Sequence, residues 1–160
     1  MSADHVQPIP HGMHSLTPHL VCANAVAAID FYRQAFGAEE LLRLTLPDGK
    51  LGHAMLRIGD SMLLLADEFP QWESLSPATL RGSPVTIHLA VADVDAAFAR
   101  AVAAGGTTKM APAEMFWGDR YGVLVDPFGH NWSLATHVRD VPLEEMRAEM
   151  EKMAAAGAQA

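Results

Sequence analysis

The chain repeats itself. "TPHLVCANAVAAIDFYRQAFGA", starting at Thr17, and "TIHLAVADVDAAFARAVAAGGT", starting at Thr86, align without a gap at a constant offset of 69 residues. Thr17 meets Thr86, His19 meets His88, Leu20 meets Leu89 and Ala23 meets Ala92. Further on, Ala27 and Ala28 meet Ala96 and Ala97, and Gly37 meets Gly106. A self-similar period of this length requires two copies of one supersecondary unit, and it outranks local propensity in deciding the fold.

Each copy opens on a short alternating apolar strand. It then passes a capping residue, Asn24 or Asp93, into an amphipathic helix with apolar positions Ile29, Tyr32 and Phe36, or Phe98 and Val102, and stops at Gly37 or Gly105-Gly106. After the first helix, "LLRLTLPDGKLGHAMLRIGDSMLLLADEF" predicts three strands punctuated by Pro47-Asp48-Gly49 and Gly59-Asp60. After the second, "TTKMAP", "DRYGVLV" and "NWSLATH" are the strand candidates, with Asp126-Pro127-Phe128-Gly129 as the last turn. The expected class is α+β: two tandem βαβββ modules with open concave sheets, followed by a C-terminal helix.

The expected organisation is a flexible tail over 1–14, a first module over 15–69 and a connector over 70–84. A second module spans 85–138, and an amphipathic helix and tail cover 139–160. The tail carries His5, His11 and His14 without periodicity. In the terminal helix Leu143, Met146, Met150 and Met153 fall on one stripe, suited to packing on its own barrel or on a partner chain.

Composition narrows the function. A net charge of −8 with no Lys/Arg cluster argues against nucleic acid as a partner. No run approaches the length of a membrane span, and the opening residues lack the basic and apolar regions of a signal peptide. A soluble, cytoplasmic protein is the expectation. The single cysteine, Cys22, rules out an internal disulfide or a thiolate zinc cluster and reads as a small buried hydrophobe.

The duplicated βαβββ unit, "AIDFYRQAFGAE" in the first helix and "DPFGHNW" before the last strand resemble the vicinal oxygen chelate superfamily of glyoxalase I, bleomycin-resistance proteins and extradiol dioxygenases. "HAMLRIGDS" and "FWGDRYG" resemble its PhnB-like branch. The resemblance covers about residues 15 to 138. It implies a small-molecule ligand, a homodimer that completes or extends the barrel between chains, and metal-ligand positions at Thr17, near Leu63 or Leu64, at Thr86 and at Ser133. Two hydroxyls, an alkyl chain and a third hydroxyl lack the donors that a divalent metal needs. Met55 also stands where the branch often has Glu.

Strand alternation supplies a second inventory. With Leu20, Cys22, Ala54, Leu56 and Ile58 toward the helix, the cavity side receives Thr17, His19, Val21, Leu51, His53, Met55 and Arg57. From the second module it receives Thr86, His88, Ala90, Asn131 and Ser133. His19, His53 and His88 are the candidate catalytic residues, either as acid/base groups or as ligands of a divalent metal such as Zn²⁺ with one open position. His19 and His88 also suit a purely structural place at the module interface.

In "FWGDRYG", Trp117 and Tyr121 are candidate pocket walls and Arg120 a candidate anchor for a carboxylate or phosphate. Asp119 is its expected local ion-pair partner, orienting it, or else the base. Arg57, Asn131 and Ser133 complete the candidate substrate-binding set. "DPFGH" reads as a fold-defining turn leaving His130 exposed, and Trp132 as core. Two functions stay open: a lyase or isomerase acting on a small oxygenated substrate, and a non-catalytic binder that sequesters a small molecule or drug.

Overall fold

The computed structural model describes residues 6–157, so His5 lies outside the described residues. The first unit runs β1 (His19–Cys22), α1 (Ala25–Phe36), β2 (Glu39–Thr45), β3 (Leu51–Ile58) and β4 (Ser61–Asp67). A 3₁₀ turn (Pro70–Trp72) and the short α2 (Pro77–Leu80) follow. The second unit is β5 (Thr86–Ala90), α3 (Val94–Ala103), β6 (Thr107–Glu114), β7 (Asp119–Val125) and β8 (Asn131–His137), and α4 (Leu143–Gly157) ends the described chain.

The two sheets have the same order, β1-β4-β3-β2 and β5-β8-β7-β6, with the first strand parallel to the last and the remaining pairs antiparallel. The repeat extends to details of hydrogen bonding. Asn24 and Asp93 each cap their helix by accepting from the amide three residues on, at 3.1 and 3.0 Å. At the end of the last strand, Asp67 accepts from Ala25 N at 2.7 Å, and its counterpart Thr136 accepts from Val94 N at 2.8 Å.

α1 and α3 lie against each other, and Arg100 Nε donates to the Ala35 carbonyl at 2.9 Å across that seam. The helix-facing sides of both sheets form one core in which Trp132 packs on Phe36 and Tyr32, with ring centroids 4.6 and 5.4 Å apart. Each fully buried side chain of this size contributes roughly 1.5–3 kcal/mol relative to leaving it exposed. Cys22 is fully buried there, and burial with the nearby Asp126 and Asp67 pushes its thiol up to about 12, which leaves it an unreactive hydrophobe.

Alternation holds for most strands but breaks in β3. Leu51, expected on the cavity side, is fully buried in the core. The pairing shifts between Leu44 with His53 and Thr45 with Leu51, so Gly52 is an extra residue. Such a bulge reverses the facing of everything before it. His130, expected to be exposed, is buried: the turn folds onto the first module and places its Nε2 3.1 Å from the Val21 carbonyl and 3.8 Å from Cys22 Sγ. α4 buries none of its residues, and Leu143, Met150 and Met153 are exposed along it.

Candidate functional site

Strand parity in β7 separates the residues of the "FWGDRYG" segment. Gly122 and Leu124 are buried against α3. A Cβ at Gly122 would come within 2.9 Å of the Phe98 ring, so the strand runs close to the helix only because glycine stands there. Arg120 shares that parity. It does not pair with Asp119 as expected; its guanidinium makes a two-pronged bond to Asp95 of α3, at 2.7 and 2.8 Å, on the helix side of the sheet. That partner holds the Asp95 carboxyl below its ordinary range and raises the Arg120 guanidinium. Arg120 is therefore not an anchor on the concave face.

Asp119 and Tyr121 have the opposite parity. On that face Trp117 meets Tyr121 edge to face at 5.4 Å, and Tyr121 lies nearly parallel to His88, with planes 18° apart and centroids 6.1 Å apart. Phe116 extends this aromatic row, edge-on to Trp117 at 5.1 Å. His88 Nδ1 is 2.8 Å from Ser133 Oγ, which is buried, whereas the His88 ring is exposed. His88 also borders a cleft of about 330 Å³ between the modules, lined by Pro18, Met62, Leu63, Ile87 and Trp132 among others. A volume of that order suits a small ligand.

At the rim, the Asp119 carboxylate accepts from Trp117 Nε1 at 3.1 Å and from His137 Nδ1 at 2.8 Å, and His137 Nε2 reaches Asp140 at 2.9 Å. Asp140 and Asp119 together raise the His137 imidazole above its ordinary value. Gly118 lets the loop close onto this corner. Its carbonyl accepts from Val138 N and Arg139 N, its φ is +101°, and a Cβ there would fall 2.0 Å from the Arg139 oxygen. Residue-by-residue reading of the sequence missed His137, although it lies on the same face of β8 as Ser133.

On the first sheet His19 and His53 stand edge to face, with centroids 5.9 Å apart. Burial, and then the neighbouring His53, lower the His19 imidazole below its ordinary value, which favours the neutral ring. Arg57 is tied to Glu39 of the neighbouring strand. Asn131 donates to the Ser83 and Val85 carbonyls at 3.0 and 3.4 Å and so fastens the connector to β8.

The expected trio of histidines is not brought together within the chain: His19 pairs with His53, while His88 stands with Ser133 and Tyr121. Among the described residues no group of three His, Cys, Asp or Glu is placed to hold a metal ion. Ser133, at one of the four positions where the resemblance implies a ligand, places a neutral hydroxyl 2.8 Å from His88 Nδ1. Among the described residues, hydroxyl and alkyl side chains at the four implied positions lack the donors that a divalent metal needs.

A sequence profile described as the Glyoxalase/Bleomycin resistance protein/Dioxygenase superfamily matches residues 4–134. The chain belongs to this superfamily. An uncharacterized protein of Mycobacterium bovis is 53% identical over 139 residues, covering 85% of this chain and 91% of that one. Among solved structures, protein PA1353 from Pseudomonas aeruginosa superposes with a TM-score of 0.64 at 25% identity, over 79% of this chain and 99% of its own. The PhnB protein from Bacillus cereus, at 18% identity and a TM-score of 0.59, covers 77% of this chain and 99% of its own and shares the fold. Glyoxalase-superfamily proteins commonly work on small molecules, many with divalent metals. Among the described residues no helix of this member is long and apolar enough to cross a membrane.

Proposed function

We propose that the protein is a glyoxalase-type lyase or isomerase that moves a proton on a small oxygenated substrate, with imidazoles in place of the superfamily's metal. The observation that carries this reading is the His88–Ser133 bond. It holds one ring nitrogen inward and leaves the other without a partner among the described residues, beside Tyr121. A positioned imidazole of this kind contributes about 10²–10⁴-fold to a proton-transfer step. His19, held neutral and flanked by His53, is the base of the pair.

The two half-sites lie on different sheets, and the working unit is a homodimer in which the concave sheet of one copy faces that of the other. Exposed Leu42 and Leu44 on β2, and Leu143, Met150 and Met153 on α4, are the surfaces it would cover. The same reading assigns the protein to the cytoplasm, where the lone Cys22 stays reduced. The row Phe116, Trp117 and Tyr121 favours a second reading, a binder that stacks a planar molecule and does no chemistry on it.

The two readings separate in heavy water. Protein stripped with a chelator is incubated with a panel of short 2-oxo acids, ketones and 2-oxoaldehyde–thiol adducts, and deuterium entering the carbon beside the carbonyl is followed by proton NMR. The enzyme reading predicts uptake into at least one class, lost in His19→Ala. Quenching of tryptophan fluorescence by planar compounds, with no deuterium uptake anywhere in the panel, would establish the binder instead.

A further inference from the structure

The His88–Ser133 contact also decides which hydrogen the imidazole shows to the site. Ser133 Oγ is buried, and its one side-chain partner among the described residues is His88 Nδ1 at 2.8 Å. A hydroxyl carries one hydrogen and two lone pairs. Burying that hydrogen without an acceptor is the costly arrangement, and if Nδ1 carried the ring hydrogen the serine hydrogen would be stranded. With Ser133 donating, Nδ1 accepts and the hydrogen of the neutral ring sits on Nε2. That nitrogen has no partner among the described residues, on a ring exposed to the concave face and held nearly parallel to Tyr121.

We infer that His88 presents an N–H rather than a lone pair to the substrate, and so polarises a carbonyl oxygen, with Ser133 as the positioning residue that selects the tautomer. This rests on the proton-moving reading above and divides the labour within it: His19 takes the proton, and His88 steadies the charge that results. The substrate class is a small ketone or aldehyde with a C–H beside the carbonyl. The base removes that proton, the C–H pair becomes a C=C bond, and the C=O π pair moves onto oxygen, where the Nε2–H hydrogen bond strengthens as charge develops. No proton leaves His88. Delivery of a proton from water to the other face of the carbon, with His19 releasing the one it took to solvent, gives an isomerase, and departure of a β-substituent with its bonding pair gives a lyase. The donor is held from the β8 position at which the resemblance puts a metal ligand, so a neutral hydrogen bond stands where a cation would otherwise polarise oxygen.

The test reads the tautomer directly in full-length, substrate-free protein labelled with ¹⁵N-histidine, by long-range ¹H–¹⁵N correlation at mildly alkaline pH, with His88 assigned by its loss in His88→Gln. The expected pattern is a protonated Nε2 and an unprotonated Nδ1. Ser133→Ala should move it toward the mixture shown by the exposed His14, and Ser133→Thr, which keeps the hydroxyl, should restore it even if the alanine variant folds poorly. A protonated Nδ1 in the wild type would overturn the inference while leaving the proton-moving reading intact, because His88 would then offer a lone pair. A pattern that Ser133→Ala, folded by its amide spectrum, leaves unchanged would overturn the role of Ser133.

Discussion

The phenol of Tyr32, on the helix of the first module, donates a 2.6 Å hydrogen bond to the Asp126 carboxylate of the second. Asp126 is buried and collects three further donors: Trp132 Nε1 and the amides of Phe128 and His130, each at 2.9 Å. A buried carboxylate is tolerated only with such company. Tyr32→Phe should cost about 1.5–3 kcal/mol, the range for a hydrogen bond to a charged group, read from urea unfolding. Burial and the Asp126 charge raise the Tyr32 phenol above its ordinary value. The unfolded state thus releases this proton first, and stability falls as pH rises beyond about 10, the ordinary tyrosine value. The variant should lose that alkaline component, and a cost near zero would show that Asp126 does not brace the two modules.

Arg120 is tied to Asp95 on the helix side of the sheet, away from Tyr121 and His88. Arg120→Ala should leave deuterium uptake and ligand quenching of tryptophan fluorescence within twofold of wild type, because an exposed ion pair of this kind contributes little. A tenfold loss of ligand affinity would return Arg120 to the site.

His137 donates to carboxylates on both sides and, in its protonated form, fastens Asp119 and through it the Trp117 indole. Its folded value is raised, so its contribution is fully present below the unfolded value of about 6.5 and is lost as pH climbs through the folded one. The His137 ring proton should titrate above the ordinary imidazole value of about 6.5, and Asp140→Asn should bring it down. Trp117 emission should follow the same curve and lose the pH dependence in His137→Gln. Titration of His137 at the ordinary imidazole value would contradict the clamp.

The architecture was legible because it is written twice: the 69-residue offset carries strand, helix, cap and glycine stop from one module to the other. Parity in β5 and β8 was equally plain, and it put His88 and Ser133 on one face. What escaped the sequence was non-local. Gly52 looks like any strand glycine until its partner strand shows the extra residue. Asp126 reads as a turn starter, and its Tyr32 partner lies 94 positions away. Arg120 stands next to Asp119 in the sequence, yet alternation with Gly122 and Leu124 points it toward α3. Three histidines on separate strands could not be gathered or separated without knowing how the two sheets face.

The central claim is that His88 handles substrate on the concave face, and deuterium uptake in chelator-stripped protein tests it most directly. For whichever carbonyl compound the wild type labels, His88→Ala should slow uptake by about 10²–10³-fold, the loss on removing one donor to a developing oxyanion, with the fold intact by circular dichroism. Uptake at the wild-type rate in a folded His88→Ala protein would contradict the account.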